Sequence, residues 1–242
     1  MHKFGLVGKN ISYSFSKNFF TQKFIELNLD DYEYQNFDIN SISDFPKVLA
    51  SNVKGLNITI PYKEQVIPFL DDIDEEAKEI GAVNTIKFID KNKIKGFNTD
   101  VYGFEKSLSS VMNKTHTKAL VLGTGGASKA IIFVLKKLGI DYLVVSRKPL
   151  ENQISYNEIT EKDIVDHSII INCTPLGTFP HVDEFPKIPY QHLTEKHLLY
   201  DLIYNPVKTK FLLEGEKKGA TICNGSKMLE YQAEKSWEIW NL

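Results

Sequence analysis

Polar side chains gather at the predicted strand ends in the part of the chain before residue 101. They are Ser14, Ser16, Asn57, Thr59, Lys63, Asn84, Asn98, Thr99 and Asp100. Asn57 and Thr59 are two positions apart in one strand, so their side chains point to the same face. If that face were only core, both groups would need hydrogen-bond partners, and apolar residues would be more favourable there. The set therefore predicts a pocket for a hydroxylated, anionic small molecule.

Single members of this set also have simpler explanations. Ser14 or Ser16 could cap a helix, Asn84 could stand in a turn, and Lys63 could be an exposed charge. The residues alone leave these alternatives open. A cofactor site elsewhere in the chain favours the pocket.

A glycine-rich turn lies in the segment ALVLGTGGASKA, between an apolar strand and an amphipathic helix. Gly123, Gly125 and Gly126 remove side chains where backbone N–H groups could approach a pyrophosphate. The helix that follows presents its unpaired donors and its positive dipole end to the same anion. A purely structural tight turn is the alternative. The order of strand, turn, helix and second strand, YLVVS, favours dinucleotide binding.

The end of YLVVS indicates which dinucleotide is bound. About 20 residues beyond such a turn, an NAD site usually carries an acidic residue for the ribose 2′-hydroxyl. This chain has Ser146, Arg147 and Lys148 there. A hydroxyl and two cations suit a 2′-phosphate, and solvated charges at a strand end are the alternative. We therefore predict NADP in preference to NAD.

Strands and helices that could position these residues alternate along the whole chain. Strand-like runs such as KFGLVG, GLNITI, KALVLG and SIIINC alternate with helical segments such as SKNFFTQKFIEL and SKAIIFVLKKLG. This pattern is typical of an α/β protein. A further helix is expected over PYKEQVIPFL, with Pro61 in its first turn. AVNTIKFI and KIKGFN predict a hairpin that turns at Asp90, Lys91 and Asn92.

We predict two domains with the active site in the cleft between them. Residues 1–101 would form an α/β substrate-binding catalytic domain. Residues 102–225 would form a Rossmann-like nucleotide domain with a parallel sheet, shortened in the polar stretch between Arg147 and Asp166. The final helix, residues 226–242, would pack back on the first domain.

The composition argues against several other classes of protein. In 242 residues, 42% hydrophobic and 25% charged, 29 Lys and Arg face 31 Asp and Glu, a formal net charge of −2. This balance argues against nucleic-acid binding, and no apolar run reaches the roughly 18 residues of a membrane helix. Cys173 and Cys223 lie far apart and the histidines form no HExxH pattern, so no disulfide and no metal site is expected. We expect a cytoplasmic protein that binds neither nucleic acid nor membrane.

The motifs in their order resemble those of the shikimate dehydrogenase family. The matching segments are SYSFSK, NITIPYKE, GAVNT, FNTD, GTGGASKA, INCTPLGT, DLIYNP and NGSKMLEYQA, which span nearly the whole chain. The resemblance implies reversible reduction of the small molecule 3-dehydroshikimate to shikimate by NADPH, a step of chorismate and aromatic amino-acid biosynthesis.

The resemblance also implies roles for individual residues. Lys63 and Asp100 would be the catalytic pair. The substrate would be bound by Ser14, Ser16, Thr59, Asn84, Tyr204 and Gln232. The cofactor would be bound by Gly123, Thr124, Gly125, Gly126, Ala127, Ser146, Arg147, Lys148, Leu202 and Gly225.

The residue types of the implied pair suit this chemistry. Hydride delivery to a ketone creates a developing alkoxide that must receive a proton. The Lys63 ammonium can stabilise that charge and donate the proton, and Asp100 can fix the lysine and bond to a substrate hydroxyl. The sequence leaves open which protonation state of Lys63 serves the alcohol-oxidising direction.

Two segments depart from the family pattern, and two other functions stay open. Glu151 stands where a second arginine usually follows, and Ser226 and Lys227 precede Met228 where the family usually has Gly-Leu. One alternative is a quinate/shikimate dehydrogenase that uses NAD. The other is a non-catalytic ligand sensor with the same fold. The oligomeric state, monomer or homodimer, is also open.

Overall fold

Two six-stranded β-sheets organise the chain in a computed structural model that describes residues 1–11, 14–90 and 93–242. The strands are β1 (His2–Gly8), β2 (Tyr32–Asp38), β3 (Val53–Ile58), β4 (Asp72–Ile73), β5 (Thr85–Asp90), β6 (Lys93–Phe97), β7 (Lys118–Leu122), β8 (Asp141–Val145), β9 (Gln153–Ile154), β10 (Ile169–Asn172), β11 (Leu198–Asp201) and β12 (Thr221–Cys223).

Eight α-helices alternate with these strands in the described part of the chain. They are α1 (Phe15–Glu26), α2 (Phe45–Leu49), α3 (Glu75–Ile80), α4 (Asp100–Ser109), α5 (Gly126–Lys137), α6 (Glu161–Asp166), α7 (Lys210–Glu216) and α8 (Ser226–Asn241). Short 3₁₀ helices lie at Ile42–Asp44, Ile67–Phe69, Tyr156–Glu158 and Tyr190–His192. The predicted α/β class is confirmed. None of the helices described is long and apolar enough to cross a membrane.

The chain divides into two compact units, which we describe separately. The first unit comprises Met1–Tyr102 and Leu229–Leu242, and the second comprises Gly103–Met228. Their roles as substrate and nucleotide domains stay predictions.

The sheet of the first unit is mixed, with the strand order β2-β1-β3-β5-β6-β4. β1 pairs parallel with β2 and β3, whereas β5 pairs antiparallel with β3 and β6. The β5–β6 pairing is the predicted hairpin; Lys91 and Asn92 of its predicted turn lie outside the described residues.

Helix α8 packs against β1 of the first unit through aromatic side chains. Trp237 and Trp240 lie against Phe4, at 6.0 and 4.9 Å between ring centroids. The Trp240 indole N–H also donates to the Ile86 carbonyl at 3.0 Å. A side chain at Gly55 would lie 2.5 Å from this indole, so only glycine permits the close approach there.

The sheet of the second unit is wholly parallel, with the order β12-β11-β10-β7-β8-β9. Strand β10 and the last four residues of β7 are buried, as expected of strands covered on both faces. The carboxyl ends of these parallel strands share one edge of the sheet. Ligands of open α/β folds bind at this edge.

The structure corrects the prediction of a helix over PYKEQVIPFL. The segment forms turns and the 3₁₀ helix Ile67–Phe69. The Lys63 carbonyl, which a helix would pair with Ile67, instead accepts the N–H of Val83 at 2.8 Å. Pro68 has no N–H to continue a helix.

Two short helices were not predicted. Helix α3 has Asp74 as its N-cap, whose side chain accepts from Glu76 N–H, and ends at Gly81 with φ 69°. Helix α6 lies inside the polar connection between Arg147 and Asp166, and Thr160 caps it. Each helix has only six residues, too few for a clear 3.6-residue period.

Candidate active site and nucleotide pocket

Lys63 and Asp100 form an ion pair in the first unit. Lys63 Nζ lies 2.6 Å from Asp100 Oδ2, and the two side chains are 16% and 9% exposed. Lys63 follows β3 in the turn segment, while Asp100 is the first residue of α4. A carboxylate is favoured at that end of a helix, because the helix dipole is positive there. The pair combines a proton donor with a carboxylate that fixes its position.

Asn84 connects this pair to the last helix. Its Nδ2 donates to Asp100 Oδ1 at 2.9 Å and lies 3.5 Å from Oε1 of Gln232. Its Oδ1 accepts the backbone N–H of Thr99 at 2.7 Å. Of the residues predicted for the site, the structure thus brings Lys63, Asp100, Asn84 and Gln232 together.

Other predicted substrate residues of the first unit have local contacts. Ser14 is the N-cap of α1 and accepts from the backbone N–H of Lys17 at 3.4 Å, so the alternative of a helix cap is confirmed for Ser14. Ser16 is half-buried in the first turn of α1. Thr59 is half-buried directly after β3. Binding of substrate by these three residues stays a prediction.

Asn57 and Asn98 have the partners that buried polar residues require. Asn57 Oδ1 accepts from the Tyr34 hydroxyl at 2.8 Å, and Asn57 Nδ2 donates to Ser236 Oγ at 2.9 Å. Asn98 Nδ2 donates to the carbonyl of Ala82 at 2.9 Å. The polarity of Asn57 and Asn98 therefore has a structural cause and does not by itself require a ligand.

A pocket of about 770 Å³ opens at the carboxyl ends of the strands in the second unit. Its walls include six of the predicted cofactor residues: Gly123, Thr124, Gly125, Ser146, Arg147 and Lys148. They also include residues that were not predicted: Tyr156, Cys173, Thr174, Pro175 and Leu176. Gly126 and Ala127 form the first turn of α5 beside this wall.

The glycine turn leaves open space where a phosphate would lie. Gly123 has φ 101°, a conformation that favours glycine, and its N–H donates to the Val145 carbonyl at 2.8 Å. Side chains built at Gly125 or Gly126 would meet nothing within 4 Å. Gly125 caps α5 without a side-chain hydrogen bond. The turn and the helix end therefore fit a pyrophosphate.

The cationic wall of the pocket contains the only arginine of the sequence, Arg147. Ser146 is buried, and its hydroxyl accepts the backbone N–H of Lys148 at 3.2 Å. This bond shapes the turn that leaves Arg147 and Lys148 exposed at the pocket. A guanidinium fork, an ammonium and a hydroxyl fit a ribose 2′-phosphate.

Tyr156 and Thr174 could have been inferred only from their position in the fold. Thr174 follows β10 and is fixed by Asn172, whose Oδ1 accepts the Thr174 hydroxyl at 2.7 Å. The Tyr156 hydroxyl is buried without a hydrogen-bond partner among the described residues. Burial raises the pKa of Tyr156 to about 12. The carboxyl end of the β10 strand was the available signal for Thr174, whereas none marked Tyr156.

A buried carboxylate supports this part of the pocket. Asp201 is fully buried at the end of β11, where its Oδ1 accepts from Asn172 Nδ2 and from Ile203 N–H, both at 3.0 Å. Burial raises the pKa of Asp201 to about 6. The hydrogen bonds from Thr209 and the other donors lower this pKa, but by less than burial raises it. The Asp201 side chain thus ties together the loops that follow β10 and β11.

Three predicted residues of the second unit, Leu202, Tyr204 and Gly225, are not among the residues that line this pocket. Gly225 N–H donates to the Ile203 carbonyl at 3.0 Å, and a side chain at Gly225 would lie 2.1 Å from the Leu202 carbonyl. Leu202 and Gly225 are thus neighbours. Tyr204 is half-buried in the loop after β11. No group of three His, Cys, Asp or Glu residues in the described ranges could hold a metal ion.

Comparisons with known proteins point to one family. The family model that describes the shikimate dehydrogenase substrate binding domain matches residues 6–86 of this chain. The chain is 38% identical over 253 residues to the shikimate dehydrogenase (NADP⁺) of Clostridium botulinum, which covers 100% of this chain and 97% of that protein.

Solved structures of the same family resemble the whole chain. The shikimate dehydrogenase of Aquifex aeolicus has a TM-score of 0.89 at 34% identity, covering 100% of this chain and 92% of that one. The enzyme of Thermus thermophilus, solved in complex with NADP(H) and shikimate, has a TM-score of 0.88 at 28% identity, covering 99% and 93%.

Proposed function

Because this chain belongs to the shikimate dehydrogenase family, we propose that it catalyses the reversible reduction of 3-dehydroshikimate to shikimate with NADPH. It is an NADP-dependent oxidoreductase that acts on a CH–OH group. The observation that carries the proposal is the ion pair between Lys63 Nζ and Asp100 Oδ2, at 2.6 Å in a mostly buried setting. A proton donor so fixed is what reduction of a ketone requires.

Lys63 acts as the acid in the direction of reduction. NADPH, when bound, supplies the hydride to the ketone carbon. The ammonium of Lys63 stabilises the negative charge that develops on the ketone oxygen and donates a proton to it. In the direction of oxidation, Lys63 Nζ takes the hydroxyl proton back.

Asp100 holds Lys63 and binds a substrate hydroxyl. Asn84 Nδ2 and Lys63 Nζ already contact the two oxygens of Asp100. A carboxylate fixed from both sides loses little conformational freedom when substrate binds. Further contacts to the substrate come from Ser14, Ser16, Thr59, Asn84, Tyr204 and Gln232.

The second unit binds the cofactor. The open space at Gly125 and Gly126 accommodates the pyrophosphate against the start of α5. Ser146, Arg147 and Lys148 bind the 2′-phosphate, which distinguishes NADP from NAD. Gly123, Thr124, Ala127, Leu202 and Gly225 complete the proposed cofactor site.

An activity assay with two substrates and two cofactors tests this function. Purified protein is given shikimate or quinate with NADP or NAD, and the nicotinamide absorbance is followed. We expect oxidation of shikimate with NADP, at a preference over NAD of at least about tenfold, or roughly 1.4 kcal/mol. Preference for NAD with activity on quinate would support the quinate/shikimate dehydrogenase. A silent assay with well-folded protein would support the ligand sensor.

We also propose that the protein is cytoplasmic and acts as a monomer or homodimer without nucleic acid. The near balance of charge, −2 in 242 residues, supports the last point. Light scattering of the protein as it elutes from a size-exclusion column measures its molar mass and thus its oligomeric state. A mass above that of a dimer would contradict the proposal.

A further inference from the structure

We propose that Ser236 is a positioning residue for the catalytic pair, acting with Thr85 and Thr99. The proposal rests on the proposed function, since it concerns the same reaction. The three hydroxyl groups, called here the hydroxyl cluster, form a triangle with oxygen–oxygen distances of 2.8, 3.2 and 3.2 Å. None of these residues is more than 2% exposed. They come from β5, the residue before α4, and α8, so the cluster joins three distant parts of the chain.

One side of the hydroxyl cluster is fixed by α8 and Asn57. Ser236 donates its single hydroxyl hydrogen to the Gln232 carbonyl at 2.9 Å. Its oxygen therefore accepts from Asn57 Nδ2 at 2.9 Å and from one of the two threonine hydroxyls. Asn57 cannot turn over, because its Nδ2 also faces the Asn84 carbonyl oxygen at 3.3 Å, which only accepts, while its Oδ1 accepts from the Tyr34 hydroxyl at 2.8 Å.

The opposite side of the hydroxyl cluster faces Asn84. The hydroxyls of Thr85 and Thr99 lie 3.0 and 3.2 Å from Asn84 Oδ1, and the Thr99 N–H donates to the same oxygen at 2.7 Å. Each threonine hydroxyl has one hydrogen, so one of them donates to Ser236 and the other, with the Thr99 N–H, donates to Asn84 Oδ1. The Asn84 carboxamide therefore turns its Nδ2 to Asp100, which accepts at 2.9 Å. The cluster thus orients Asn84, Asn84 orients Asp100, and Asp100 holds Lys63.

The same network extends through Asn57 to Tyr34 in β2. Burial raises the pKa of Tyr34 far above its usual range. Tyr34 therefore stays neutral, and its hydroxyl donates to Asn57 at 2.8 Å.

The variant S236A tests this role, with S107A as its matched control. Ser107 is also fully buried, and its hydroxyl bonds to the Tyr200 hydroxyl and the Phe104 carbonyl in the second unit. We expect S236A to lower kcat for shikimate oxidation about tenfold while KM for shikimate changes less than about threefold. S107A should change neither constant by more than about threefold.

Substitutions at Thr85 separate hydrogen bonding from packing. T85V removes the hydroxyl and keeps the side-chain shape, whereas T85S keeps the hydroxyl. We expect kcat of T85V to fall like that of S236A, and T85S to retain at least about a third of wild-type kcat. If S236A does not fold, this pair carries the test. Full activity of S236A and T85V, or an equal loss in T85V and T85S, would overturn the proposal.

The side-chain amide of Asn84 provides a measurement that does not depend on activity. In ¹⁵N-labelled protein we expect its hydrogens to exchange with solvent at least about fivefold faster in S236A than in wild type or S107A. Unchanged exchange would overturn the positioning role. A silent wild-type enzyme with faster exchange in S236A would instead overturn the proposed function and leave the orientation of Asn84 by Ser236 supported.

Discussion

Asp201 Oδ2 accepts the hydroxyl hydrogen of Thr209 at 2.6 Å in the closed interior of the second unit. Neither side chain is measurably exposed. Burial raises the pKa of Asp201 to about 6, although the hydrogen bond from Thr209 and the others lower it. The folded protein therefore binds a proton at Asp201 more tightly than the unfolded chain does.

This raised pKa predicts that D201N changes how stability depends on pH. The contribution of Asp201 to the free energy of unfolding is fully present below about pH 4 and is lost as the pH rises to about 6. A pKa that is higher by about two in the folded protein than in the unfolded chain corresponds to about 3 kcal/mol in the free energy of unfolding. The asparagine variant keeps the shape and cannot titrate, so its stability relative to wild type should improve over this range. Urea unfolding between pH 4 and 7 measures the difference.

D72N is the control for this measurement. The hydrogen bond from Lys95 lowers the pKa of the exposed Asp72 carboxyl, so the stability that it contributes is lost as the pH falls. The difference between D72N and wild type should therefore stay nearly constant between pH 4 and 7 and shrink only below about pH 4, whereas the difference for D201N changes within this range. Parallel curves for D201N and wild type would contradict the prediction.

G125A should impair cofactor binding without impairing the fold. The backbone of Gly125, at φ −72° and ψ 173°, suits alanine, and the added carbon meets nothing within 4 Å. The free energy of unfolding should change by no more than about 1 kcal/mol, as for a helix cap. KM for NADP should rise at least about tenfold, because the methyl group occupies the space of the pyrophosphate.

G225A is the contrasting variant for this prediction. Its added carbon would lie 2.1 Å from the Leu202 carbonyl, so it should destabilise the fold by about 1–3 kcal/mol. Urea unfolding and the KM for NADP together separate the two glycines. An unchanged KM for NADP in G125A would refute the proposed phosphate site.

R147K should weaken NADP binding although the positive charge is kept. Lysine lacks the planar fork that binds a phosphate through two hydrogen bonds. We expect KM for NADP to rise about tenfold and KM for NAD, which has no 2′-phosphate, to stay within about twofold. NAD thus serves as the internal control. Equal changes for both cofactors would mean that Arg147 does not bind the 2′-phosphate.

Local sequence was sufficient for the elements with a long or sharp pattern. The apolar strands β7 and β10, the glycine turn and helix α5 lie where the sequence predicts them, because burial on two faces and backbone approach both require particular residue types. The function was predicted from the resemblance of motifs along nearly the whole chain to one family, and the preference for NADP from Ser146, Arg147 and Lys148.

Features that depend on distant contacts could not be predicted. The Lys63 carbonyl bonds to Val83, which prevents the predicted helix, and Asn57 bonds to Ser236, 179 residues away. No sequence pattern near Asn57 indicates that Ser236 is its hydrogen-bond partner. Tyr156 lines the pocket from a connection with little helical periodicity.

Turnover of K63A, beside K23A, tests the central claim that Lys63 transfers the proton. Both lysines are 16% exposed in their side chains, and both form ion pairs at 2.6 Å, Lys23 with Glu234. With shikimate and NADP, the kcat of K63A should fall by a factor of about 10²–10⁴ with little change in substrate binding. The kcat of K23A should stay within about twofold of wild type. Near-normal turnover of K63A would contradict the account.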